Sequence, residues 1–220
     1  MNIKNNLNNL RQNLPSGCKL IAVTKTKPVE KIMEAYSEGH RLFGENKVQE
    51  LVPKYEAMPK DIQWHMIGHL QSNKVKYIAP FISMIHSVDS ARLLEEINKQ
   101  ALRSQRTVPC LLQVYIAEEE SKFGFSPQEI FQFLQSGNAA ELKNAKVCGL
   151  MGMATLTDNT EQIRKEFRGL KKLFDTLKSS ALPDGIEMKE LSMGMSGDYN
   201  IAVEEGSTMI RVGSAIFGER

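Results

Sequence analysis

Cysteine is scarce. The chain has three, Cys18, Cys110 and Cys148, and no C-x-x-C spacing. An odd count without paired spacing argues against a disulfide framework and against a zinc ribbon. Cys110 and Cys148 stand in apolar runs and read as small buried hydrophobes. An excess of one charge is also lacking. Lys plus Arg is 28 and Asp plus Glu is 26, a net charge of +2, too balanced to point to nucleic acid as a partner. No run approaches the roughly 18 apolar residues of a membrane span. The Asn-rich first 14 residues lack the apolar centre of a signal peptide. A cytoplasmic protein without a membrane partner is the expectation. With 41% hydrophobic and 25% charged residues, the composition excludes collagen-like and wholly disordered chains. No linker or low-complexity tract divides the 220 residues, so one domain over 1–220 is expected.

What the chain does have is a recurrent apolar run. Eight occur: 19–25, 42–46, 64–68, 84–89, 109–116, 146–154, 190–196 and 209–218. Each is short and mostly apolar without strict alternation, as in strands buried on both faces of a parallel sheet. Between them lie helix signals. Pro28 opens 28–39, which Gly39 closes; Ser90 precedes 91–105; Ser126-Pro127 opens 127–137. In 160–179, Ile163, Phe167, Leu170, Phe174 and Leu177 fall at steps of four and three, one apolar stripe. Residues 2–14 repeat that spacing more weakly. Eight strands alternating with helices predict an α/β fold, a single (β/α)8 TIM-type barrel with an extra N-terminal helix. The eighth helix is missing, and the N-terminal helix is placed to cover that gap. An open doubly wound sheet is the alternative. The likeness of 149–155 (GLMGMAT) to 191–197 (LSMGMSG) hints at repeated units.

In such a barrel the chemistry lies at the C-terminal ends of the strands. Lys25 ends the first apolar run. A lysine losing hydration at the barrel mouth is a candidate amine nucleophile for carbonyl compounds, the alternative being a solvated loop lysine. Lys27, beside Pro28, reads as the solvated one. Ser196-Gly197 and Gly213-Ser214 follow the seventh and eighth strands, where barrels often bind phosphate with backbone amides and small hydroxyls. Together they suggest a phosphorylated aldehyde held as a Schiff base. Pyridoxal phosphate fits that description, and so does an aldolase sugar phosphate.

The stretches LIAVTKTKP, FGENKVQE, WHMIGHLQSNK, LSMGMSGD and GSTMIRVGSAIFG resemble the pyridoxal-phosphate homeostasis protein family, relatives of the alanine racemase N-terminal barrel. The resemblance covers residues 2 to 218. It implies pyridoxal 5'-phosphate as cofactor, with Lys25 forming the internal aldimine. It implies that Ser196, Gly213 and Ser214 hold the phosphate, that Arg211 faces the pyridine nitrogen, and that Asn46 and His65 line the pocket. Arg211 there would weaken the ring as an electron sink, because a guanidinium only donates and stays protonated. Ser121-Lys122-Phe123-Gly124 also resembles the family, and Lys122 reads either as a second phosphate-attracting lysine or as an exposed one.

Other residues read more plainly. His65 and His69 are four apart, but no third ligand suggests a metal. His40 reads as a surface residue and His86 as a strand residue. Met193 and Met195 are expected to shape the pocket, and Glu45 is either a pocket carboxylate or a buried polar support. A homeostasis protein that carries the cofactor without significant catalysis is the expected function, with cofactor-requiring apo-enzymes as candidate recipients. An amino-acid racemase and a Schiff-base aldolase are the alternatives. The chain stops at Arg220, just past the last strand motif. On that ground no second domain is expected to supply a racemase base, and a monomer is expected.

Overall fold

The computed structural model describes residues 2–117 and 123–219. Lys122 and Ser121 lie outside the described residues. Eight parallel strands close into a barrel in chain order, β1 pairing with both β2 and β8. They are β1 Lys19–Val23, β2 Leu42–Glu45, β3 Gln63–Met66, β4 Met84–Val88, β5 Val108–Gln113, β6 Ala145–Met151, β7 Ile186–Ser192 and β8 Met209–Val212. The open sheet is excluded by the β1–β8 ladder, whose register pairs Ile21 with Arg211. Closure explains the apolar runs. One face of each strand meets the helices and the other the barrel interior, so β4 and β8 are buried at every residue.

Several helices start at a side-chain cap. α1 (Ile3–Asn13) buries Ile3, Leu7 and Leu10. Next come α2 (Val29–Ser37), α3 (Val48–Ala57), α4 (Val75–Ile78) and α5 (Ala91–Arg103). The Ser90 side chain caps α5 by accepting from the Leu93 amide. At α6 (Pro127–Gln135), Ser126 and Glu129 form a reciprocal capping box. α7 (Thr160–Lys178) buries the whole stripe of Ile163, Phe167, Leu170, Phe174 and Leu177. α8 (Tyr199–Glu204) and α9 (Ser214–Phe217) complete the ring. No helix among the described residues is long and apolar enough to cross a membrane.

Three local readings change. The seventh strand is Ile186–Ser192, not 190–196, because the chain turns away at Gly194, whose φ of +95° suits glycine alone. The eighth run splits: only Met209–Val212 is strand, and Ser214–Phe217 coils into α9. So the eighth helix is a single turn rather than missing. α1 packs on it and on α2, and Asn6 Nδ2 donates to the Ile216 carbonyl at 2.9 Å. α3 holds Pro53 inside it, a residue that argues against a helix in sequence because it removes a backbone donor.

His40 is not a surface residue. It is buried, its Nε2 meets the Leu42 carbonyl at 2.8 Å, and burial holds its pKa down at about 4. Met84, Leu111, Met151 and Met209 pack together with Cys148 against them as a small cluster. Cys110 is fully buried, and burial pushes its thiol above its ordinary range. Gly149, in β6, admits no side chain: a Cβ there would lie 1.8 Å from the Glu190 carbonyl oxygen.

Candidate functional site

A cavity of about 350 Å³ opens at the C-terminal end of the barrel, within the range of small-ligand clefts. Lys25, Asn46, Ser196, Arg211, Gly213 and Ser214 all line it. The structure therefore brings together six of the seven candidate residues, from the ends of β1, β2, β7 and β8. His65 is the exception. It is buried in β3, does not line the cavity, and bonds instead to His86.

Lys25 stands two residues past β1, half-buried in the cavity wall. Across from β1, the loops after β7 and β8 are tied together, for the Gly213 amide donates to Ser196 Oγ at 3.2 Å. Ser214 and Ala215 begin α9, so their amides have no acceptor within the helix. The Asp198 side chain accepts from the Met195 amide at 2.5 Å and so fixes the loop that carries Ser196. Gly197 borders open space, where even a Cβ would meet nothing within 4 Å. This wall can accept an anion with several oxygens. Asn46 Oδ1 is buried and has no hydrogen-bond partner among the described residues, so a polar group of the cavity wall is left for a ligand to satisfy.

Arg211 is buried, with Nη1 donating to Ser192 Oγ at 2.5 Å and Nη2 to the Gly152 carbonyl at 3.0 Å. Burial lowers its pKa to about 10, opposed by the nearby Asp198, so it remains a cation at neutral pH. Below it runs a buried polar chain. Ser192 Oγ meets His86 Nδ1 at 2.9 Å, and His86 Nε2 meets His65 Nδ1 at 2.8 Å. Burial drives both imidazoles neutral, His65 down to about 3 and His86 well below its ordinary value. Proton direction follows from Arg211, which only donates. Ser192 accepts from it and gives its own proton to His86 Nδ1. His86 then donates from Nε2 to His65 Nδ1. One tautomer of each histidine satisfies the whole chain.

Several expectations shift. Lys27 is not freely solvated: its Nζ donates to the carbonyls of Gly218 and Glu219 at 3.0 Å each, tying the end of β8's loop to the mouth. Met195 lines the cavity, but Met193 is buried in the main core, and Met153 takes its expected place. Met153 and Met195 occupy matching positions of the two similar heptapeptides, after β6 and β7. Glu45 is fully buried and outside the lining, which makes it a polar support. Ser192 was missed in the sequence and His86 was read only as a strand residue, although a histidine within the apolar run 84–89 was the available signal for it.

The family model for the alanine racemase N-terminal domain matches residues 1–220. A pyridoxal phosphate homeostasis protein of Aquifex aeolicus is 41% identical over 203 residues, 92% of this chain and 87% of that one. PipY of Synechococcus elongatus, solved without PLP, superposes with a TM-score of 0.92 at 37% identity, covering 98% of this chain and 100% of that one. Solved with PLP bound, PipY superposes at 0.87 and 35% identity, with the same coverage. Full-length similarity at this level, together with the closed barrel and its mouth, has one meaning: the chain belongs to the alanine racemase N-terminal domain family, among the pyridoxal phosphate homeostasis proteins.

Proposed function

We propose that this chain binds pyridoxal 5'-phosphate at the barrel mouth, holds it on Lys25 as a Schiff base, and serves its homeostasis without significant catalysis. One observation carries the reading. A primary amine, a hydroxyl-and-amide wall and a buried guanidinium converge on one small cavity from three separate strand ends. The cofactor bound by PipY supports it, as does the name shared by the relatives. The residues fit the group. The unsatisfied Asn46 Oδ1 calls for a polar ligand, and the open space at Gly197 leaves room for an anion beside the Ser196 and Ser214 hydroxyls.

When bound, the cofactor supplies an aldehyde that condenses with an amine with loss of water. The chain's own residues do the rest. Lys25 provides the amine. Ser196, Ser214 and the amides at Gly213 and the start of α9 receive the phosphate. Asn46 lines the side of the cavity. Arg211, fixed by Ser192 and the Gly152 carbonyl, would meet the ring nitrogen as a donor and so keep a proton off that atom. His65 serves indirectly, as the far end of the chain that orients Arg211.

The test separates phosphate from ring. Ser196→Leu or Gly213→Val should weaken pyridoxal phosphate binding by about 10²-fold, while pyridoxal affinity changes less than about threefold. Equal losses for both ligands would make these residues structural only. Each charge-assisted hydrogen bond lost contributes about 1.5–3 kcal/mol. At Gly213 a Cβ would meet the Val23 carbonyl at 3.2 Å, so Ser196→Leu is the cleaner variant.

Catalysis is expected to be weak for a reason seen in Arg211. A donor-only partner cannot accept a hydrogen bond from a protonated ring nitrogen as a carboxylate would, so carbanions α to the amine gain little stabilisation. Incubated with single L-amino acids, the holo-protein should change neither chirality nor keto-acid content appreciably. Turnover on the order of 1–10³ s⁻¹ for any substrate would favour the racemase or another enzyme instead.

A further inference from the structure

Lys25 itself makes no hydrogen bond among the described residues, yet the peptide groups on both sides of it are held from one helix. Lys54 Nζ donates at 2.8 Å to the Thr24 carbonyl, which belongs to the peptide entering Lys25. Glu50 Oε2 accepts at 2.8 Å from the Thr26 amide, which belongs to the peptide leaving it. Glu50 and Lys54 are one turn apart on α3, with Nζ and Oε2 at 3.6 Å. Lys54 also donates to Glu45 Oε1 at 2.6 Å, and the Thr24 hydroxyl donates to that same oxygen at 2.6 Å. The cluster links β1, β2 and α3 directly behind the cavity wall.

The direction of a side chain is set by the two peptide planes that meet at its Cα. Here each plane has its own anchor, so the Cα–Cβ bond of Lys25 is fixed relative to the barrel. The anchors work against a local preference. Thr26 has φ +62°, in the left-handed region that β-branched residues avoid. A loop free to relax would leave that conformation and turn Lys25 with it. The arrangement is also costly to keep for no purpose. Glu45 is fully buried with Oε2 unpartnered among the described residues, and the Lys54 side chain is only 10% exposed, whereas an apolar pair of similar volume would suffice for packing.

We propose that Glu50 and Lys54 are positioning residues for Lys25: they clamp both of its peptide groups so that its amine meets an aldehyde in the cavity in one orientation. The proposal rests on the reading of Lys25 as the Schiff-base lysine. Displacements of about 1 Å at a reacting group commonly cost up to 10²-fold in rate, and supports of this kind are what keep such a group in place.

The experiment compares Glu50→Ala, Glu50→Gln and Lys54→Met with the unsubstituted chain. Two quantities are read: the rate at which pyridoxal phosphate becomes fixable on Lys25 by borohydride, and the exchange rate of the Thr26 amide in cofactor-free protein. Glu50→Ala should slow fixation about tenfold and speed Thr26 exchange at least about tenfold. Glu50→Gln should restore both to within about twofold, because its Oε1 still accepts the Thr26 amide. Lys54→Met should slow fixation as well, but it strands Glu45 in the interior and lowers the thermal midpoint. Should that variant not fold, the Glu50 pair still decides. Unchanged fixation in Glu50→Ala, or equal loss in Glu50→Gln, overturns the clamp while the reading of Lys25 stands. Absence of label on Lys25 in the unsubstituted chain overturns that reading, and with it the purpose given to the clamp.

Discussion

Lys25→Ala protein will purify colourless, whereas the unsubstituted protein will be yellow, and borohydride will fix no cofactor on the variant. Lys25 is the amine that lies in the cavity wall without a competing partner among the described residues. Lys27 also reaches the mouth, but its Nζ is engaged by two carbonyls. Pyridoxal phosphate affinity should fall by about 10²-fold, equivalent to about 2.7 kcal/mol. The residual affinity should come from the wall that includes Ser196 and Gly213, and should therefore favour pyridoxal phosphate over pyridoxal. Thermal stability should hardly move, since replacing a half-exposed side chain without partners usually changes stability by less than about 0.5 kcal/mol. Peptide mapping of the reduced unsubstituted protein provides the check. A label found only on Lys27 or Lys122 overturns the assignment.

The cofactor-free protein should lose stability steeply on mild acidification. His40, His65 and His86 are buried and neutral, with pKa values held at about 4, about 3 and well below the ordinary 6.5. In the unfolded chain each takes up a proton as pH falls through about 6.5. Between there and the folded values the unfolded state binds more protons, so stability is fully present above about pH 6.5 and declines below it. Each histidine contributes a slope of up to about 1.4 kcal/mol per pH unit, and the three together about 4. By pH 5 the loss is on the order of 6 kcal/mol, comparable with the whole stability of many domains. Glu45 and Asp198 act in the opposite sense, since burial raises their pKa values, but they are two groups against three. Denaturant titrations at several pH values measure the slope, and His65→Gln should reduce it by about one third. A flat profile from pH 6.5 to 5 would mean that the buried imidazoles are not held neutral.

Much of the barrel was legible from local signals. The Ser90 and Ser126 caps and the α7 stripe stand where their spacing put them, because capping and 3.6-residue periodicity act within a turn or two of chain. The mouth was legible through Lys25, Ser196, Arg211 and Gly213, which sit at strand ends of a fold whose sites lie there. Element ends were less legible. The run 209–218 is mostly apolar along its whole length, and only the packing of α1 on Ile216 and its neighbours decides that its second half coils.

The sequence by itself determined eight buried strands, the capped helices between them and an amine at the end of the first strand. Each of these depends on residues close together in the chain. Only the tertiary structure decided what supports that amine and the guanidinium opposite. His86 meets Ser192 across 106 positions, and Lys54 reaches the Thr24 carbonyl across 30. Such contacts leave no periodic trace, because barrel closure, rather than neighbouring residues, brings their partners within hydrogen-bonding distance. His65 shows the difference most directly. The family resemblance marked it as a cavity residue, but its ring is buried and meets His86, outside the lining of the cavity it was expected to join.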